Sequence, residues 1–194
     1  MTENKSTALQ NPDSKISEIR TDLPREAIAE ISDGLRLLLA DVFSLYLKTK
    51  NFHWHVTGRH FRDHHLMLDE HADQIFAMTD PVAERARKIG GSTIRSISDI
   101  SRHQRLKDNN EEDVATRQMF VELRADNLQL TPFLRGLHEL CERHNDVATA
   151  SLIEIWIEET ERRTWFLSEI LTDSDASLEN KPMSTPKRGD EEEL

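Results

Sequence analysis

Thiols are almost missing from this sequence. Its one cysteine, Cys141, excludes an intrachain disulfide framework and a sulfur-rich metal cluster, and it fits a reducing compartment. Glycine and proline are scarce, six of each in 194 residues. They stand at the edges of apolar-periodic segments, leaving no glycine-rich loop for phosphate chemistry. Strand-like alternation is absent. No apolar run approaches the roughly 20 residues that cross a bilayer. The stretch from Met1 to Asp22 is polar, so no secretory leader is expected and the chain reads as a soluble cytoplasmic protein. Cations are in deficit: the net charge is −11. This disfavours a nucleic-acid-binding body, which needs clustered Lys and Arg, and favours attraction of cations.

What is present is helical periodicity. Residues 1–23 read as a polar tail, with Ile16 and Ile19 able to form a short turn. Pro24 opens a first helix reaching about Phe52, with Ile28, Ile31, Leu35, Leu38, Val42, Leu45 and Leu47 on its apolar face. After a turn at Gly58, a second helix is expected from Phe61 to Ile89, buried through Leu66, Leu68, Ile75, Phe76 and Val82 and stopped by Gly90-Gly91. Residues 92–110 form a long polar connection with a short amphipathic turn at Ile94, Ile97 and Ile100. A third helix spans about Glu111 to Arg143, kinked at Pro132. Asn145-Asp146 caps a fourth, which ends near Leu171. Residues 172–194 read as an acidic tail. The fold class is therefore all-α: a four-helix bundle of the ferritin-like kind, occupying residues 24–171, with a short extra helix in the crossover between helices two and three.

Six of the nine histidines lie between His53 and His71, interleaved with carboxylates. Imidazole and carboxylate without thiolate make an oxygen/nitrogen ligand set suited to iron, zinc or manganese. His65 and Asp69 are four residues apart and share a helical face, as do Asp80 and Glu84. On one continuous helix Asp80 lies about 20° round from Asp69 but about 16 Å further along the axis. That span is too long for a single metal centre, whose ligand bonds are ~2 Å. Two copies packed antiparallel about a two-fold axis would bring the His65/Asp69 end of one to the Asp80/Glu84 end of the other, with His53 completing the set. A di-iron centre inside one bundle uses Glu-x-x-His motifs. The sequence contains none.

The pattern Lys50-x-x-His53-Trp54-x-x-x-Gly58, followed by His65-x-x-x-Asp69 and by Asp80-x-x-x-Glu84-Arg85 with Gly90-Gly91, resembles the Dps family of mini-ferritins. The likeness runs over roughly residues 27–171. It implies a homo-oligomeric shell of twelve subunits in a bacterial cytoplasm, with a di-iron ferroxidase centre at each dimer seam. His53, His65 and Asp69 would come from one subunit, and Asp80 and Glu84 from its partner. The implied substrates are Fe²⁺ and H₂O₂, and ferric iron would be stored inside, protecting DNA and cell from oxidative stress. Trp54 and Trp165-Phe166 match aromatic positions of the family. The chain departs from the pattern in two ways. Pro81 follows Asp80 inside the helix. Both tails are net acidic, where some relatives carry a lysine-rich DNA-binding arm, so a nucleoid-associated DNA-coating protein is the alternative function and no membrane partner is expected.

Each residue also has a plainer reading. In that reading His53 binds the last carbonyls of its helix, His65 and Asp69 are an ion pair, Asp80 is an N-cap before proline, and Glu84 pairs with Lys88. His55, His60, His64 and His71 read as surface or interface histidines. Asp146, Glu154, Glu158 and Glu161 read as a solvated face, with an acidic cation-entry pore as the sharper alternative. Cys141 reads as a small buried residue without a redox role.

Overall fold

A computed structural model describes residues 21–179, with side chains described to residue 172. The expectations for residues 1–20 and 180–194 lie outside the described residues. Six helices follow one another: α1 Arg25–His55, α2 Phe61–Ala77, α3 Thr79–Lys88, α4 Ile97–His103, α5 Thr116–Arg143 and α6 Val147–Glu179. No strand occurs among the described residues. Two hairpins, α1 with α2–α3 and α5 with α6, pack together as a four-helix bundle, and α4 lies against α1 within the crossover. This is the ferritin-like four-helix arrangement expected from the periodicity.

Two stops are built alike. After α3, the Gly91 N–H donates to the Ala86 carbonyl (2.9 Å) and the Gly90 N–H to that of Arg87 (3.0 Å). After α5, the Asp146 N–H donates to Cys141 (2.9 Å) and the Asn145 N–H to Glu142 (3.0 Å). Both are Schellman closures, with Gly90 (φ 93°) and Asn145 (φ 57°) in the left-handed region that the motif requires. Asp146 then caps α6, its carboxylate accepting from the Thr149 N–H (3.1 Å) and hydroxyl. The Gly91 contact is close: a Cβ there would meet Ser32 Oγ at 1.8 Å, so this glycine lets the crossover lie directly on α1.

Elements depart from expectation at three places. The second helix is interrupted at Met78. Pro81 has no N–H to donate to the Ala77 carbonyl, and the ladder tightens there: Met78 N–H donates to Ile75 (3.2 Å) and the Thr79 hydroxyl to Phe76 (2.7 Å). Asp80 therefore sits inside α3, not at its cap. α5 starts at Thr116, five residues later than expected, and runs uninterrupted through Pro132. α6 continues to Glu179, eight residues past Leu171.

The core is apolar, formed by Leu35, Leu38, Leu45 and Phe52 of α1, Leu68 and Ile75 of α2, Phe120 and Leu123 of α5, and Ile153, Trp156 and Leu167 of α6. Several residues on the expected apolar stripes face outward instead. Leu47, Trp54, Leu66, Phe76, Leu128, Ile155 and Trp165 are each roughly half exposed or more.

Polar groups inside the bundle are mostly paired. Asp41, fully buried, accepts the Arg105 N–H (2.5 Å), the Leu106 N–H (3.2 Å) and the Arg105 guanidinium (2.6 and 2.8 Å), fastening the crossover to α1. Lys48 pairs with Asp126 at 2.8 Å, yet burial outweighs the lysine and raises the Asp126 pKa. Arg163 is fully buried and forms no salt bridge among the described residues, although the Glu159 carboxylate is near enough to favour its charge. Its Nε donates to Asn127 (3.0 Å) and Nη2 to Thr160 (2.8 Å), while Nη1 has no acceptor. Burial pulls its pKa down to about 10.

Candidate metal centre

Three of the five expected ligands meet where the end of α1 crosses the start of α2. His53 and His65 are joined reciprocally. His53 Nδ1 donates to the His65 carbonyl (2.8 Å), and His65 Nδ1 donates to the His53 carbonyl (2.9 Å). Their rings stack at 3.7 Å and 22°. A carbonyl only accepts, so each Nδ1 must carry the ring proton. In the neutral ring that leaves a lone pair on each Nε2, the arrangement a histidine needs to ligate a metal. His53 therefore does not spend its Nδ1 on its own helix, as the plainer reading supposed. His55 does so, bonding Asn51 O at 2.7 Å.

Asp69, one turn beyond His65, lies 3.8 Å from His53 Nε2. Its stronger partner is Lys50, whose ammonium donates to Asp69 Oδ1 at 2.6 Å. That hydrogen bond is the largest influence holding the Asp69 pKa below its usual value and Lys50 above its own. The carboxylate stays ionised and already holds a cation, the lysine. Asp69, with its side chain 45% exposed, opens on a cleft of about 800 Å³ lined also by His60, His64, Glu70 and Asp73.

The other two expected ligands are not brought to this cluster within the chain. Asp80 and Glu84 lie on α3, both exposed. Glu84 pairs with Lys88 at 2.9 Å, and that pairing holds its pKa down. Among the described residues, no three His, Cys, Asp or Glu side chains of one chain are placed to hold a metal ion. The next residue along, Arg85, is anchored inward on Thr149 (2.6 Å) and Asp146 (2.5 Å), leaving the Asp80/Glu84 face turned to solvent.

Other sites differ from expectation. His71 is buried, not at a surface. Burial, reinforced by Arg163 and Arg162, pushes its pKa down to about 4. His64 stacks edge-on against Phe120, and burial lowers its pKa too. Asp146 is committed to its cap and to Arg85, so it is not free to line a pore. Glu154 and Glu161 remain exposed, paired with His138 and Arg135. Cys141 is buried, and its thiol is pushed up to about 12. Lys50 stands in the sequence motif, but its pairing with Asp69 is not among the expectations; Arg163 is absent from them altogether, and its sequence context gives no signal of burial.

A family model described as a ferritin-like domain matches residues 32–176. The DNA protection during starvation protein 1 of Deinococcus radiodurans is 30% identical over 151 residues, covering 78% of this chain and 73% of that protein. A crystal structure of an archaeal Dps homologue from Halobacterium salinarum matches with a TM-score of 0.75 and 26% identity, covering 95% of this chain and 96% of its own. The Dps protein of Vibrio cholerae, described as a member of a broad superfamily of ferritin-like diiron-carboxylate proteins, matches with a TM-score of 0.73 and 23% identity, covering 77% of this chain and 93% of its own.

Proposed function

The chain belongs to the Dps family of ferritin-like proteins, and from that premise we propose that it is a ferroxidase and iron-storage protein whose di-iron centres form between two subunits. The observation that carries this reading is the reciprocal histidine pair beside Asp69. Two Nε2 lone pairs, fixed by backbone carbonyls, stand beside an ionised carboxylate held by Lys50, in a set that suits Fe²⁺. One chain supplies only that half. The exposed Asp80 and Glu84 on α3 are the donors that a second, antiparallel copy would bring. The half-exposed apolar side chains give that copy a surface to cover. One such area is a groove of about 690 Å³ bordered by Leu47, Trp54, Ile97 and Ile100.

In this reading Fe²⁺ is substrate, and two of these ions reduce one H₂O₂ with two protons to two waters, each iron giving one electron. The protein's part is to bind and orient. His53 and His65 present Nε2 without changing tautomer, because both Nδ1 protons are fixed on carbonyls. Lys50 neutralises Asp69 until metal arrives, and an entering cation must displace its ammonium. Carboxylate donors favour the higher charge of Fe³⁺. Ferric product then passes to the interior of a twelve-subunit shell. Protection of DNA, the role in the name of the Deinococcus radiodurans relative, follows here from removing Fe²⁺ and peroxide together. Coating of DNA is disfavoured by the net charge of −11.

The test combines light scattering with anaerobic Fe²⁺ titration. The expected mass is about twelve times 22.5 kDa, with two Fe²⁺ bound per chain and rapid oxidation on adding peroxide. A monomer that binds no Fe²⁺ would overturn the reading.

A further inference from the structure

We propose that the pocket between α1 and the crossover binds a small phosphate oxyanion. The pocket has a volume of about 360 Å³ and is lined by Arg36, Thr93, Arg95, Ser96, Asp99 and Arg102. Three arginines line it on a chain whose net charge is −11; Arg36 and Arg102 are each paired with a carboxylate, Asp33 and Asp99, which leaves the Arg95 cation in excess. Asp99 is the pocket's single carboxylate, and it is already engaged by Arg102 (2.9 Å) and the Arg95 N–H (3.3 Å). Arg36 turns Nη2 to Asp33, while its Nε is sealed from solvent with no acceptor. Among the described residues the Arg95 guanidinium and the Thr93 hydroxyl make no side-chain hydrogen bond. The Arg95 fork and the Thr93 hydroxyl are therefore the donors open to a bound acceptor.

The chemistry selects the ligand. Guanidinium forks match the paired oxygens of a phosphate, and hydroxyls complete the shell. The pocket is concave and flanked on one side by a helix held close through Gly91. A small dianion fits such a space. A duplex would have to bring a long run of negative charge against an acidic protein. The proposal does not depend on iron, and it is tested on metal-free protein.

Equilibrium dialysis of inorganic phosphate against the metal-free, full-length assembly at low ionic strength is the measurement. Saturable uptake at one site per chain is expected. Arg95→Gln should weaken it at least about tenfold, since charge-assisted bonds to one guanidinium are lost. Arg95→Lys, which keeps charge but not the fork, should fall between. Arg95 is exposed, so folding is unaffected, as far-UV circular dichroism will verify; Arg36→Gln provides a second, independent loss. No saturable uptake, or uptake unchanged in both glutamine variants, would overturn the site. A short DNA duplex is the competing arm. Failure to displace phosphate supports the small-ligand assignment, and displacement overturns it.

Discussion

Replacing His65 by alanine is the sharpest perturbation of the proposed centre. The substitution deletes one Nε2 donor and the ring stacked at 3.7 Å on His53. It leaves the carbonyl of residue 65, which belongs to the backbone, so His53 keeps its 2.8 Å bond and its tautomer. The loss is then one ligand plus one stacking contact. Loss of a ligand costs at least as much as loss of a group that merely orients one, about 10- to 100-fold. His65→Ala should slow peroxide-dependent Fe²⁺ oxidation at least about tenfold. His53→Ala should do the same, because His65 likewise keeps its carbonyl acceptor. Each pin survives the loss of the other ring, but both rings would serve one centre, so the double variant should fall well short of the product of the two effects. The assay is the rate of ferric absorbance growth in particles whose mass is checked by light scattering. Wild-type rates in His65→Ala would refute the site. Wild-type rates in His53→Ala would refute the claim that both rings ligate.

Three further outcomes follow from the packing. Asp41→Ala leaves two backbone N–H groups and the Arg105 guanidinium without their acceptor. Urea unfolding at fixed protein concentration should show a loss of about 3 kcal/mol; a loss under 1 kcal/mol would mean the crossover is not fastened there. Arg163→Met removes a buried cation that has no salt bridge, and stability should change by less than about 1 kcal/mol, whereas Asn127→Ala strands Nε and should cost about 1–3 kcal/mol. Reversal of that order in thermal unfolding would contradict the account of the core. Lys50→Met removes the ammonium that competes for Asp69. Because the pair is partly exposed, anaerobic Fe²⁺ affinity at neutral pH should rise only about two- to fivefold; weaker binding would assign Lys50 a supporting role instead.

Much of the architecture was legible because periodicity and stop signals agree. Leu35, Leu38 and Leu45 recur at helical spacing, and Gly90 and Asn145 stand where the closures need a left-handed residue. Periodicity cannot tell a core from an interface, which is why Leu66 and Phe76 read as buried and lie outside. Pro81 was seen as a departure, but the interruption falls at Met78, because proline affects the turn before it. For the candidate centre, the spacing of His65 and Asp69 gave their shared face. The facing carbonyls that set both tautomers depend on how α1 meets α2, which no spacing encodes. Asp41 sits between Leu38 and Leu45 on the apolar stripe, so its burial was readable; its partner, 64 residues away, was not.

The contact at Gly91 ties two distant positions into one evolutionary unit. An alanine there would put its methyl 1.8 Å from Ser32 Oγ and 2.5 Å from Ser32 Cβ, so trimming serine to alanine would not make room. Only glycine at 32 would, and replacing serine by it would weaken α1 by about 0.5 kcal/mol. The Ala86 carbonyl, 3.2 Å away, would still have to give. Drift at residue 91 is thus epistatic on residue 32, and a mutational scan should find 91 intolerant of every single substitution.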